Sequence, residues 1–206
     1  MSEKGFLGFK VVPLSELVAN LEEERVNSIL SSFSSPLNKD VEYFLKNKAI
    51  LFDSQSISRS HLVFASYRNK PVLVGYFTLA YKNFSIPLKN IGSKLRQRVK
   101  KFASYEEDMK IYRISAPLIA QLGKNYSNGY NKLITGDELL EIAIQLVSEV
   151  QMNVGGKIVY IECEDKPKLV EFYERNGFKQ FSKRQLDSDD KKLMEGNYLL
   201  QLLRYL

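Results

Sequence analysis

One cysteine and one histidine stand in a chain of 206 residues. A lone thiol cannot close an internal disulfide, which excludes a disulfide framework and fits a reducing compartment, the cytoplasm. One thiol and one imidazole fall short of the usual ligand set of a structural zinc site, so no metal is expected. Long apolar runs are also lacking, and no stretch approaches the ~20 residues of a membrane span. The opening MSEKGFLGFK has no apolar core of the kind a secretion signal needs. A cytoplasmic protein with no membrane partner is the expectation.

What the chain does have is ordinary globular composition, 44% hydrophobic and 26% charged, with length enough for one well-buried domain. A formal net charge of +6 points to an anionic partner: a phosphorylated cofactor, RNA or an acidic protein.

Residues 5–13 read as a first strand. Ser15 is placed to cap a helix that runs through Glu24, with Glu16 favourable in its first turn. Val26 to Leu30 continue the apolar stripe, a serine-rich break follows, and Pro36 opens the next helix. Leu37, Val41, Phe44, Leu45 and Ile50 recur there at helical spacing. Residues 61–67 and 71–81 form an antiparallel hairpin around Arg68-Asn69-Lys70, with Gly75 as a bulge or close-contact site. Residues 83–110 differ in character: Lys89, Lys94, Arg96, Arg98, Lys100 and Lys101 lie together with no acid between them. This reads as a basic, partly helical insertion, either a solvated face or a grip for phosphates.

Residues 111–122 are a further strand, in which Pro117 implies a bulge or an edge. A polar loop over 125–136 leads into the clearest amphipathic helix, 137–152, lined by Leu139, Leu140, Ile142, Ala143, Leu146, Val147 and Val150. Gly155-Gly156 stops it. Residues 157–181 then read as strand, turn, short helix, turn, strand. Asp165 and Pro167 start that helix, and Gly177 ends it in a left-handed cap before Phe178 returns to the core. A polar loop over 185–192 and a strand or short helix over 197–206 close the chain. One domain, 1–206, is expected.

Two segments carry chemistry. The loop before Asp137 delivers the chain to a helix N-terminus, whose unpaired N–H groups and positive dipole suit phosphate; Gly136 removes a side chain there. The second is Tyr173-x-x-x-Gly177-Phe178.

The order of elements and this ending resemble the GNAT superfamily of acetyl-CoA-dependent N-acetyltransferases. The resemblance implies an α/β fold: a mixed, mostly antiparallel sheet of six to seven strands flanked by helices, with the family's fourth and fifth strands parallel and splayed. It implies Tyr173 as the catalytic residue near the thioester. Its pyrophosphate-binding motif falls on Asn131-Lys132-Leu133-Ile134-Thr135-Gly136, where only the final glycine matches. The cofactor-binding set it implies is Gln121, Leu122, Gly123, those six residues, Asp137, and Lys166 at the start of the last helix. The front half (Phe33, Leu37, Tyr43, Phe44, Leu45, Ala49, Ser58-Arg59, Gly75 to Leu79) is similar to the toxin-type branch, as is the strand containing Ala116 to Leu122. Members of that branch acetylate aminoacyl-tRNA, which makes Arg59 a candidate for substrate contact.

The resemblance thus implies acetyl transfer from acetyl-CoA, without a metal, to an amine. Aminoacyl-tRNA is the alternative acceptor, a non-catalytic GNAT-fold binding protein is the further alternative, and a homodimer is admitted. Glu162 and Glu164 are open as a general base acting through water, and a backbone N–H at Leu122 could polarise the thioester carbonyl.

Overall fold

The computed structural model describes residues 4–6, 8–186 and 197–206. The chain divides into two compact units, Met1–Ala80 with Ile119–Leu146, and Tyr81–Leu118 with Val147–Leu206. Most of the polar loop expected over 185–192 lies outside the described residues; Gln185 itself ends a strand.

In the first unit, β1 (Lys4–Phe6) and β2 (Phe9–Pro13) form an antiparallel hairpin rather than the single strand expected over 5–13. The reversal falls at Gly8, whose φ of 83° is one that only glycine adopts freely. Pro13 ends β2 and is itself the N-cap of α1 (Leu14–Asn20), so Ser15 lies inside the helix and caps nothing. The helix expected through Glu24 breaks at extended Leu21 and resumes as α2 (Glu23–Ser31). The next helix starts at Asn38, not Pro36. Asn38 accepts from the Asp40 and Val41 amides at 3.1 and 3.2 Å and so caps α3 (Lys39–Asn47), with α4 (Ala49–Ser54) following at once. Val41, Phe44 and Leu45 point inward as their spacing requires, whereas Leu37, outside the helix, is 73% exposed.

The hairpin is as expected: β3 (Arg59–Tyr67) and β4 (Lys70–Pro87) pair antiparallel about Arg68 and Asn69, both at positive φ, the signature of a type I′ turn. Gly75 fills both of its expected roles. The β3–β4 register slips beside it, and a Cβ there would meet the Gly123 carbonyl oxygen at 2.9 Å. Leu14, Leu30 and Leu45 of the helices, with Phe33 just after α2, are buried in one cluster with Leu62 and Tyr76 of the hairpin. The Tyr76 phenol donates to the Val41 carbonyl at 2.5 Å, which offsets the cost of burying its hydroxyl. The unit also holds the second half of β6 (Ile111–Lys124), a 3-10 segment over Ser127–Lys132, and the start of α6 (Gly136–Val154).

In the second unit, β4 continues to Pro87, six residues beyond its expected end at Tyr81. A 3-10 turn (Leu88–Asn90), α5 (Ser93–Val99) and β5 (Ala103–Glu106) complete the basic segment. Its apolar residues Phe84, Ile86, Ile91 and Val99 are buried, which anchors the segment in this unit's core. β5 pairs antiparallel with β6, and Arg113 of β6 forms an ion pair with Glu106 of β5. Beyond them β6, β7 (Ile158–Cys163), β9 (Tyr198–Tyr205) and β8 (Lys179–Gln185) lie in that order. Both ladders of β9 are antiparallel. β6 reaches its neighbour β7 through a helical crossover, the connection a parallel pair requires. The last segment, 197–206, resolves as a strand. The described residues hold nine strands rather than six or seven, because Gly8 folds the first into two and β5 turns back on β6. At the end of α6, Val150 is 46% exposed and does not join the buried stripe; Ile144 does instead.

Candidate active site

The segment of the second unit for which the sequence reading expects a chemical role is built by a backbone device. α7 (Pro167–Arg175) ends with the Gly177 amide donating to the Glu174 carbonyl at 2.9 Å and the Phe178 amide donating to the Tyr173 carbonyl at 3.1 Å. Gly177 sits at φ 82°. These are the two bonds of a Schellman motif, which also brings the residue after the glycine against the residue five before it. Those residues are Phe178 and Tyr173, with ring centroids 5.7 Å apart. The Tyr-x-x-x-Gly-Phe spacing is therefore the spelling of a helix stop that fixes the Tyr173 ring.

Tyr173 is 7% exposed. Burial pushes its phenol above the ordinary phenol range, with Cys163 as a smaller cause in the same direction. The phenol thus stays protonated throughout the neutral range and offers a hydrogen-bond donor. Cys163 is buried, and desolvation, with Asp165 and Glu164 adding to it, lifts its thiol to about 12. A thiol so raised carries almost no thiolate at neutral pH and is no nucleophile. Asp165 accepts from the Tyr198 hydroxyl at 2.7 Å, and the N-cap of α7 is Lys166, followed by Pro167 in the first turn. The Lys166 ammonium lies 2.9 Å from the Glu164 carboxylate.

The two candidate bases are both engaged. One Glu162 oxygen accepts from Arg184 at 2.8 Å and the other from Gln201 at 2.7 Å. Strand alternation also puts Glu162 on the opposite face of β7 from Cys163, the neighbour that acts on Tyr173. Glu164 holds the Lys166 ammonium.

The other expected residues belong to the first unit. Gln121 donates to Asp40 at 2.9 Å. Gly123 is buried, and a Cβ there would collide with the Val41 side chain, so this position admits only glycine. Asn125, which sequence reasoning passed over, organises the loop that follows. It accepts from the Ser34 and Ser127 amides at 3.0 Å each and donates to the Leu73 carbonyl at 2.9 Å, while its own amide donates to Val74. Lys124 reaches the Asn131 carbonyl at 3.0 Å. Lys132 is exposed, Leu133 is half-buried and Ile134 is buried.

At the α6 start the Thr135 amide and hydroxyl both donate to Glu138, at 2.7 and 2.8 Å, and the Glu138 amide donates back to the Thr135 hydroxyl at 3.1 Å. This is a capping box, spelled in the sequence as Thr-x-x-Glu beside the glycine that sequence reasoning singles out instead. It occupies two of the four first-turn amides and sets a carboxylate at the positive end of the helix.

Arg59 donates to the Asp53 carbonyl and carboxylate, at 2.7 Å each, and to the Ser56 hydroxyl at 3.0 Å. Asp53 is buried and also accepts from the Ser60 amide. His61 stacks on Phe77 at 5.1 Å. Residues 121–123 and 131–137 belong to the first unit, and Tyr173 and Lys166 to the second. Within the second unit, Ala116, Pro117 and Ile158 border a cavity of about 500 Å³ that none of the expected site residues lines.

No protein-family model and no curated protein matches the chain. Solved structures do. AtaT complexed with acetyl-methionyl-tRNAfMet is 18% identical, with a TM-score of 0.60 over 93% of each chain. A tyrosine-to-phenylalanine mutant of KacT is 17% identical, with a TM-score of 0.59 over 94% of each chain. A tyrosine-to-phenylalanine mutant of the AtaT toxin, bound to the C-terminus of the antitoxin AtaR and acetyl-CoA, is 17% identical, with a TM-score of 0.56 over 94% of this chain and 92% of that one. The chain has the fold of these proteins. The mixed α/β architecture that the resemblance to GNAT transferases implies is thereby shown over nearly the whole length. Among the described residues, no helix is long and apolar enough to cross a membrane.

Proposed function

We propose that this chain, acting as one domain over 1–206 in the cytoplasm, is an N-acetyltransferase that uses acetyl-CoA to acetylate the α-amine of aminoacyl-tRNA. The observation that carries the reading is the buried, protonated Tyr173 phenol, fixed by a Schellman stop in a chain with the AtaT and KacT fold. The tRNA half rests on the AtaT complex with an acetylated, charged tRNA and on this chain's net charge of +6. Membership of a homodimer belongs to the same proposal.

Acetyl-CoA supplies an activated acetyl group as a thioester. The attacking amine must be neutral, and it loses one proton as its new C–N bond forms. The departing sulfur needs a proton or a donor. Tyr173 meets that second need, because its phenol keeps its proton and sits in a dry site, where a hydrogen bond to developing charge is strong. The backbone amides of the α6 first turn, the glycine at 136 and the strand end at Gln121, Leu122 and Gly123 are the groups proposed to hold the cofactor. Because Glu162 and Glu164 are both engaged, the base is solvent, and the amine deprotonates before attack. An α-amine with a pKa of about 8 does this readily.

A non-catalytic binding role has one observation in its favour, the Glu138 carboxylate at the α6 start. Incubation with labelled acetyl-CoA and charged tRNA decides between them. Label is expected in the aminoacyl-tRNA; acetyl-CoA binding without transfer to tRNA or to small amines favours the non-catalytic role.

A further inference from the structure

The six cations of the basic segment do not form one uniform patch. Arg96 turns back and donates to the Leu88 carbonyl at 3.0 Å. Lys94 and Arg98, one helical turn apart on α5, instead converge with Lys179 of β8 on a hollow of about 190 Å³. Leu95 of α5, Gly177, and Leu203 and Tyr205 of β9 complete its lining. No carboxylate lines it.

Arg98 is held over the Tyr205 ring at 5.0 Å from the centroid, which orders a long side chain that would otherwise be free. Arg204, between the two lining residues of β9, faces the other side of the strand, where it donates to the Asn176 carbonyl at 3.1 Å, so the charge of the hollow comes from Lys94, Arg98 and Lys179 alone. Like charges drawn together with no acid among the lining groups raise the local potential and select an anion. The space exceeds the ~30 Å³ of a water several times over. Two ammonium point charges and a planar guanidinium fork are the donors that suit a phosphate.

We propose that this hollow is a phosphate-binding site. The phosphate comes either from an RNA backbone or from a free phosphate group, and the inference does not depend on acetyl transfer.

The test is the double variant Lys94→Gln/Lys179→Gln of the full chain, whose two substitutions lie on exposed side chains. Uncharged tRNA binding is measured from 50 to 200 mM KCl. For an RNA source, the variant binds several-fold more weakly at the low-salt end, and its log K against log salt slope is shallower by about 1.4 to 1.8, the share of two phosphate contacts. For a free-phosphate source, inorganic phosphate at matched ionic strength raises the melting temperature of the wild type saturably and leaves that of the variant unmoved, while the tRNA slopes agree. Either result supports the site and assigns its source. Identical tRNA slopes together with identical phosphate responses overturn it. Acetyl-CoA affinity, measured alongside, is expected to be unchanged, so failure of the phosphate site and failure of the transferase reading remain distinguishable.

Discussion

The start of α6 and the end of α7 solve the same problem, unpaired backbone groups at a helix terminus, in opposite ways. At α6 side chains do it in part: Thr135 and Glu138 bond one another's amides, which accounts for two of the four in the first turn. At α7 the backbone does it: Gly177 takes a left-handed turn, and the Glu174 and Tyr173 carbonyls receive the returning amides. The first device costs the helix some of its capacity to bind an anion, because a carboxylate already sits there. The second fixes an aromatic ring through backbone bonds and the Phe178 contact. One terminus is stopped by a charged side chain and the other by the backbone alone.

The largest break in that comparison comes from Phe178→Ala. Phe178 is 1% exposed and closes the Schellman motif against Tyr173, so a loss of about 3–5 kcal/mol in unfolding free energy is expected by denaturant titration. A smaller loss means that Tyr173 is held by other contacts.

Gly177→Ala should cost about 1–2 kcal/mol, because φ 82° is strained for any residue with a Cβ, although the Cβ itself would meet the Arg204 side chain only at an ordinary contact distance of 3.6 Å. High pH probes the same ring. The folded-state pKa of Tyr173 is raised above the ordinary value of about 10, so its contribution to stability is complete below that pH and declines above it, by about 1.4 kcal/mol per pH unit. Tyr76 in the first unit, also raised by burial, moves the same way. Melting temperatures from pH 8 to 11 check the sign, and Tyr173→Phe should lessen the decline.

Glu138→Gln is the finest probe. A capping box accepts glutamine at this position, so stability should change by only about 0.3–1 kcal/mol, the worth of a charge at a helix end. Acetyl-CoA affinity should rise several-fold in a calorimetric titration if the first turn receives phosphate. Unchanged affinity removes the α6 start from the cofactor site.

Much of this architecture was legible in the sequence where one residue type has one physical use. Arg68-Asn69-Lys70 marked a hairpin turn, Gly177 marked a left-handed stop, and Leu139, Leu140 and Ile142 marked a buried helix face; all three are found, the turn itself taking only Arg68 and Asn69. Boundaries failed where two candidates competed. Ser15 looked like a cap, but Pro13 ends the strand so abruptly that the helix begins before Ser15 is reached. Pro36 looked like a start, but only Asn38 has an oxygen placed for the Asp40 and Val41 amides. The role of Asn125 was illegible, because its partners Ser34 and Leu73 are distant in sequence and only the fold unites them. The engagement of Glu162 by Arg184 and Gln201 was hidden for the same reason.

The central claim is that Tyr173 gives the departing sulfur its donor, and Tyr173→Phe tests it most directly because the ring, its packing and the helix stop all remain. Turnover of labelled acetyl-CoA onto charged tRNA should fall about 10²- to 10⁴-fold, the usual span of a general acid, while acetyl-CoA affinity stays within about threefold of wild type. Turnover equal to wild type, with the variant folded, would contradict the account and leave Tyr173 a core aromatic.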